Sequence, residues 1–380
     1  MINRIVVFTG SKKDFERFIN SRISPDENTI PFMELIQHYN ARLRPNESGV
    51  RESALSKKIS VDNVVVRMDD YGSVLDHVMS NFANIVGLNH EIETLYVQNP
   101  PRRALESLQT TSRGEIEYHG TEYYSIDRSV LSNAYQRLCK DVLGQEECKK
   151  QIISGIYRLS TLKNEKPVVL LLYGPSGVGK TETAKSISAS LGGELLRIQF
   201  SMMQTNEAYN YVFGAEHSKS SFARELLGRE TNVILIDEFD KVNPVFYNAF
   251  YQLFDDGIFT DTNYTVHLEN SIFLCTCNFA SEDEAKKALG PAMFSRIGCC
   301  IKYDELSVEN KREIIDSWYN SIICQLRDDE KEFIDATDIR QWFMDNANRY
   351  DNIRTLKTKL ENAIFDELAE HFIISTEQHS

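Results

Sequence analysis

The chain has 380 residues, 42% of them hydrophobic and 26% charged, and a net charge of −14. That length allows two or three domains with a full core, and the negative balance argues against a nucleic-acid grip, which needs a basic face. No apolar run approaches the roughly 20 residues of a membrane span, and seven scattered cysteines without framework spacing suit a reducing, cytoplasmic setting.

The first residues, MINRIVVFTGSKKDF, meet charge too early for a secretory signal. RIVVF (residues 4–8), NVVVRM (63–68) and TLYVQ (94–98) read as strands, and KDFERFIN and VLDHVMSNFANIVG as helices. This alternation predicts a small α/β or α+β domain over residues 1–127. Residues 40–60 are polar and contain proline, which predicts a loop, and Asn99-Pro100-Pro101 ends an element. FTGS after the first strand carries one glycine and reads as a plain turn. Arg42, Arg44, Arg51, Lys57 and Lys58 form a basic patch diluted by Glu47 and Glu52, the pattern of a solvated loop. Residues 1–130 hold 15 Lys and Arg against 18 Asp and Glu, so most of the negative excess lies further along.

Residues 128–303 carry the chemistry. Helical spacing runs through LSNAYQRLCKDVLGQEECKKQIISGIYRLS and breaks at Gly144. The apolar run VVLLLY (168–173) then delivers GPSGVGKT (174–181) and the helix-compatible TETAKSISASL. A buried strand, a glycine-rich turn and a helix N-terminus in that order make a phosphate cradle of backbone N–H groups. Gly174, Pro175, Ser176, Gly177, Val178, Gly179, Lys180, Thr181 and Glu182 are therefore candidate nucleotide-binding residues. Lys180 would reach the β- and γ-phosphates of a nucleoside triphosphate, and the Thr181 hydroxyl would ligate Mg²⁺. About fifty residues on, VILI (233–236) runs into Asp237 and Glu238. Four apolar residues in a row suit a central parallel strand covered on both faces, whose end would bring both carboxylates beside the cradle. Asp237 would hold the Mg²⁺ shell and Glu238 would polarise the attacking water. Cys275 and Cys277 flank Thr276 on a further strand, and Cys299 and Cys300 are adjacent; neither pair has zinc-site spacing, so buried structural thiols are the expectation.

Residues 304–380 read as all-helical, with Ser307 capping VENKREIIDSWYNSIICQL, a second helix over 336–347 and a third over 354–372. STEQHS at the end is expected to fray.

Over residues 128–373 these motifs resemble an AAA+ ATPase of the Clp/heat-shock unfoldase branch. The resemblance implies a P-loop parallel sheet flanked by helices, a C-terminal helical lid, ATP and Mg²⁺ as cofactors, and hydrolysis of ATP to ADP and phosphate. DVLGQEECKKQI (141–152) is similar to the segment that embraces adenine, which gives Val142 and Leu143 that role. FLCTCN (273–278) resembles the strand ending in the polar sensor of the lytic water, here Asn278. MFSRIG (293–298) resembles the arginine-finger segment, so Arg296 would reach the γ-phosphate in a neighbouring subunit. NIRTLK (352–357) resembles the second sensor, with Arg354 contacting phosphate in cis. FYQLFDDGIFTD (250–261) has the family's cadence. A finger acting in trans implies a homo-oligomeric ring, hexameric by resemblance.

One departure stands out. FGAEHSKSSFAREL (213–226) occupies the place of the aromatic pore loop that threads substrate, is several residues shorter, and lacks the Gly-aromatic-Val-Gly tetrad. Tyr209, Tyr211 and Phe213 lie nearby, either as substitutes or as core; His217, Lys219, Ser220 and Ser221 would form a polar central loop. Three functions follow: remodelling of a protein partner chosen by the N-terminal domain, a non-threading assembly switch that gates an effector, or a nucleic-acid-stimulated motor. The acidic charge favours the first over the last.

Overall fold

The structure is a computed structural model that describes residues 2–43, 58–88, 90–111, 115–161, 166–199, 206–217 and 219–374. Two parallel sheets follow one another along the chain. The first holds β1 (Ile2–Thr9), β2 (Thr29–Pro31), β3 (Ile59–Val66), β4 (His90–Gln98) and β5 (Ile116–Gly120), in the spatial order β2-β3-β4-β1-β5 with every pairing parallel. Side chains alternate across a strand, so Ile5 and Val7 join a core with Phe32, Tyr71 and Phe82 on one face, and Val6 and Phe8 join Phe15 and Ile19 on the other. With both faces covered, this unit is α/β and not α+β.

Some local expectations are corrected. VLDHVMSNFANIVG forms two short helices, Asp76–Ser80 and Phe82–Leu88, because the turn at Asn81 interrupts the helical backbone. Helices Phe32–Leu43 and Arg102–Thr111 and the strand Ile116–Gly120 add to the elements read from sequence. Residues 40–43 end a helix and Ile59 opens β3, so the predicted 40–60 loop is shorter than expected; most of it, with most of the basic patch, lies outside the described residues.

The second sheet holds β6 (Val168–Tyr173), β7 (Leu196–Gln199), β8 (Val233–Asp237), β11 (Ile272–Cys277) and β12 (Cys299–Lys302), while β9 (Ile258–Thr260) and β10 (Thr265–His267) form a separate hairpin. The spatial order is β12-β6-β11-β8-β7, all parallel. Leu170, Leu172, Leu235 and Leu274 face helices Arg128–Asp141, Glu146–Tyr157 and Lys180–Ser190. Leu171, Ile236 and Phe273 face Phe222–Leu227, Tyr247–Asp256 and Glu282–Phe294. Cys275 and Cys277 are buried on that second face, and desolvation raises both thiols, Cys277 to about 12. Tyr211 and Phe213 pack against the same core, whereas Tyr209 is exposed.

The C-terminal helices bury Ile315, Tyr319, Ile334, Phe343, Leu360 and Ile364 among themselves. Ser307 caps Val308–Ile323 by accepting the Asn310 N–H, as its sequence predicts. The expected 336–347 helix is trimmed to Ile339–Asp345, and an additional helix, Asp328–Asp335, precedes it. Its acidic first turn suits a helix N-terminus but offers little apolar pattern to read. The last long helix is Ile353–Ala369, and residues 375–380 lie outside the described residues.

The first sheet's unit packs on the second through Met68, which is buried in the second unit's core, and through polar contacts. The Arg102 N–H donates to the Asn263 carbonyl at 2.7 Å. The buried Arg229 guanidinium sits 4.5 Å over the Tyr123 ring. His217, expected in a polar central loop, is instead buried here: Nε2 lies 2.8 Å from the Val74 carbonyl and Nδ1 2.7 Å from the Asp76 carboxylate. Ser221 likewise turns inward, donating to Asp261 at 2.9 Å and capping Phe222–Leu227.

Candidate nucleotide site

Three strand ends converge. Gly174 follows β6, Glu238 follows β8 and Asn278 follows β11, all at the carboxyl edge of the second sheet, where open parallel sheets bind ligands. Gly174 has φ 134°, and a Cβ there would lie 2.2 Å from the Tyr303 carbonyl oxygen, so only glycine lets the chain leave β6 on this path. Gly177, at φ 82°, would bring a Cβ within 2.9 Å of Asn352 Oδ1. Lys180 opens the helix Lys180–Ser190, and its buried Nζ donates to the carbonyls of Gly174 (2.6 Å) and Pro175 (2.7 Å) and to Asn278 Oδ1 (3.3 Å). Burial lowers its pKa below the usual lysine value, the cost of holding a cation away from water, which a bound phosphate would offset.

A cavity of about 360 Å³ opens here, within the range of small-molecule sites. Val142, Leu143, Ser176, Gly177, Val178, Gly179, Lys180, Thr181 and Glu182 line one side, and Asp237, Glu238 and Asn278 stand at the phosphate end. Arg354 reaches it from the start of the helix Ile353–Ala369, where Asn352 caps by accepting the Arg354 N–H at 2.8 Å. Gly174 and Pro175 contribute their carbonyls to Lys180 but do not line the cavity. Arg296 lies outside it altogether. Its guanidinium donates to Asp255 (2.8 and 2.7 Å) and to the Ala292 carbonyl, and stacks 4.3 Å over Tyr251.

Glu238 has φ 55°, an uncommon backbone for a non-glycine residue. Thr276 explains how it is held: its Oγ1 accepts the Glu238 N–H at 3.1 Å and donates to Asp237 Oδ1. One hydroxyl thus fixes both acidic residues. Residue 276 reads in the sequence only as the spacer between two cysteines. Arg197 and Gln199 on β7 also reach this pair, Arg197 through Asp237 Oδ2 and Gln199 through Glu238 Oε2 at 3.3 Å. Leu306, Ile314, Trp318, Ile353 and Lys357 add lining from the helical region, where Lys357 Nζ lies 4.3 Å over the Trp318 ring. These groups and Val142 and Leu143 give the cavity its apolar and aromatic lining.

Mg²⁺ fits this site. Thr181 and Asp237 both line the cavity and offer the hard oxygens that the ion selects, leaving its other positions to phosphate and water.

The P-loop after β6, an acidic pair at the end of β8 with β11 between the two strands, and a C-terminal helical region lining the cavity make an arrangement consistent with an AAA+ ATPase module. Residues 165–326 match the family described as AAA domain (Cdc48 subfamily), and this match together with Clp-family relatives supports an AAA+ ATPase of the Clp/Hsp100 branch. It is similar to a ClpA homolog protein of Fuscovulum blasticum, 34% identical over 184 residues that cover 45% of this chain and 23% of that one. The ATP-dependent Clp protease ATP-binding subunit ClpC of Staphylococcus epidermidis is 22% identical over 409 residues, covering 93% of this chain and 49% of the relative. Chaperone protein ClpB of Clostridium perfringens is 27% identical over 289 residues, covering 67% and 33%. The chain therefore spans between about a quarter and a half of the length of these relatives. Among the described residues, no helix is long and apolar enough to cross a membrane.

Proposed function

We propose that the chain hydrolyses ATP at this cavity within a homo-oligomeric, hexameric ring in the cytoplasm, and that turnover remodels a protein partner selected by residues 1–127. The observation that carries the reading is the convergence of Lys180, Asp237, Glu238, Asn278 and Arg354 on one cavity. Lys180 and the backbone N–H groups of residues 176–181 bind the phosphates. Glu238 takes the proton of the attacking water as general base, its carboxylate aimed by the backbone that Thr276 clamps. Asn278 orients that water. Thr181 and Asp237 would hold Mg²⁺, which supplies charge neutralisation on the phosphoryl oxygens when bound. Arg354 contacts the phosphates from the lid of the same subunit. Arg296, outside its own cavity, serves the ATP of a neighbour as a cation for the developing transition-state charge.

A second reading, an assembly switch that gates an effector without threading, is favoured by one observation. The stretch that replaces the pore loop is tied back to the first sheet's unit through His217. A nucleic-acid-driven motor has no comparable support.

The test is the Glu238→Gln variant with ATP and Mg²⁺. It is expected to retain ATP, lose turnover, and sediment as a ring with a bound protein. A variant that hydrolyses ATP at the wild-type rate removes Glu238 as base. One that keeps ATP yet stays monomeric removes the ring, and stimulation of wild-type turnover by DNA with steep salt dependence would favour the motor.

A further inference from the structure

Arg197 lies on β7, the edge strand next to β8, in register with Leu235. Its side chain lines the nucleotide cavity and is 43% exposed, whereas the Asp237 side chain it meets is 9% exposed. Both Nε (2.9 Å) and Nη2 (2.5 Å) donate to Asp237 Oδ2. Thr276 donates to the other oxygen, Oδ1. Two protein groups thus engage both oxygens of the carboxylate that the proposed function assigns to the Mg²⁺ shell. A hydrated ion held by Asp237 would need acceptor capacity on that same carboxylate, and Arg197 and Thr276 both line the cavity beside it. Thr276 is buried on β11 and clamps the adjoining backbone, so the group able to yield is the half-exposed arginine.

We infer that Arg197 is a positioning residue that competes with the hydrated Mg²⁺ ion for Asp237 and thereby sets the Mg²⁺ concentration at which the site takes ATP. The inference rests on the proposed function and adds to it a threshold. At low Mg²⁺ the carboxylate stays with Arg197. With Mg²⁺ and ATP supplied, Arg197 would release Oδ2 and leave Asp237 free to help hold the ion. Arginine suits this task because its planar fork puts two N–H groups on one oxygen, which the point charge of lysine does not reproduce.

The experiment is a calorimetric titration of ATP at stepped Mg²⁺ concentrations, in a Glu238→Gln background so that ATP survives the measurement. Arg197→Ala is expected to lower the Mg²⁺ concentration for half-maximal ATP binding by about fivefold to tenfold, the size of effect a half-exposed charge-assisted pair carries. Arg197→Lys is expected to fall between that variant and the parent. ATP binding in excess chelator should differ by less than about twofold among the three. An unchanged midpoint overturns the inference, and so does a raised one, which would mean that the guanidinium contacts phosphate. If the alanine variant fails to fold, the lysine variant decides by the same midpoint. A well-folded parent that takes no ATP at any Mg²⁺ concentration overturns the proposed function itself, an outcome distinct from ATP binding with an unmoved midpoint.

Discussion

His217→Ala tests how the replaced pore loop is held. The imidazole is 6% exposed and faces the Val74 carbonyl at 2.8 Å and the Asp76 carboxylate at 2.7 Å. Truncation leaves a carbonyl of the half-enclosed Val74 segment without its partner, a loss of about 1–3 kcal/mol. Asp76 is 61% exposed, so its share is at most ~1 kcal/mol after solvent screening. A net loss of about 1–4 kcal/mol raises the open population of this contact roughly 5- to 900-fold. Amide hydrogen exchange read by mass spectrometry reports it directly. The Val78 N–H, bonded to Leu75, and the Lys219 N–H, bonded to Glu216, should both exchange faster by that order. Amides of β11, in the centre of the second sheet, should not change. Unaltered exchange at residues 74–78 would refute the reasoning, since it would mean that the first unit is held by its other contacts alone.

Lys180→Ala should weaken ATP binding at least tenfold by calorimetry while the thermal midpoint stays the same or rises, because the change removes a desolvated cation. Arg296→Ala should cut ATP turnover by about 10³-fold or more and leave ATP affinity within about twofold, as expected for a residue outside the cavity. Alkylation at pH 8 should label the exposed Cys139 and Cys324 and spare Cys275 and Cys277 until the chain unfolds. Burial raises the latter two thiols, Cys277 to about 12, so the reactive thiolate is scarce at every pH below that; mass spectrometry of tryptic peptides checks it.

What the sequence revealed of this site and what it hid have one physical cause. GPSGVGKT, Asp237, Glu238 and Asn278 were legible because each sits at a fixed distance from an apolar strand that any reader can find, and the parallel sheet aligns those strand ends. Thr276 and Arg197 act on the same carboxylate from two other strands, and strand order is set by packing over the whole sheet, which no local pattern encodes. Trp318 and Lys357 reach the cavity only because the lid folds back over the sheet, so their helical spacing marks them as ordinary helix residues. Phe32–Leu43 is a different case: it begins straight after Pro31, and Phe32, Leu35, Ile36 and Tyr39 follow helical spacing onto the first unit's core, so its stripe does stand in the sequence. Arg296 was read as acting on a neighbour, and its hold on Asp255 inside its own subunit is a detail that spacing alone does not show.

The near-contact between Gly177 and Asn352 has a mechanical corollary. The turn that wraps phosphate and the residue that starts the last long helix sit so close that a single methyl group at position 177 would wedge them apart. A shift of the turn towards that helix therefore meets its cap first. The helix buries Leu356, Leu360 and Ile364 along its seventeen residues among the other C-terminal helices, so it can yield only together with them.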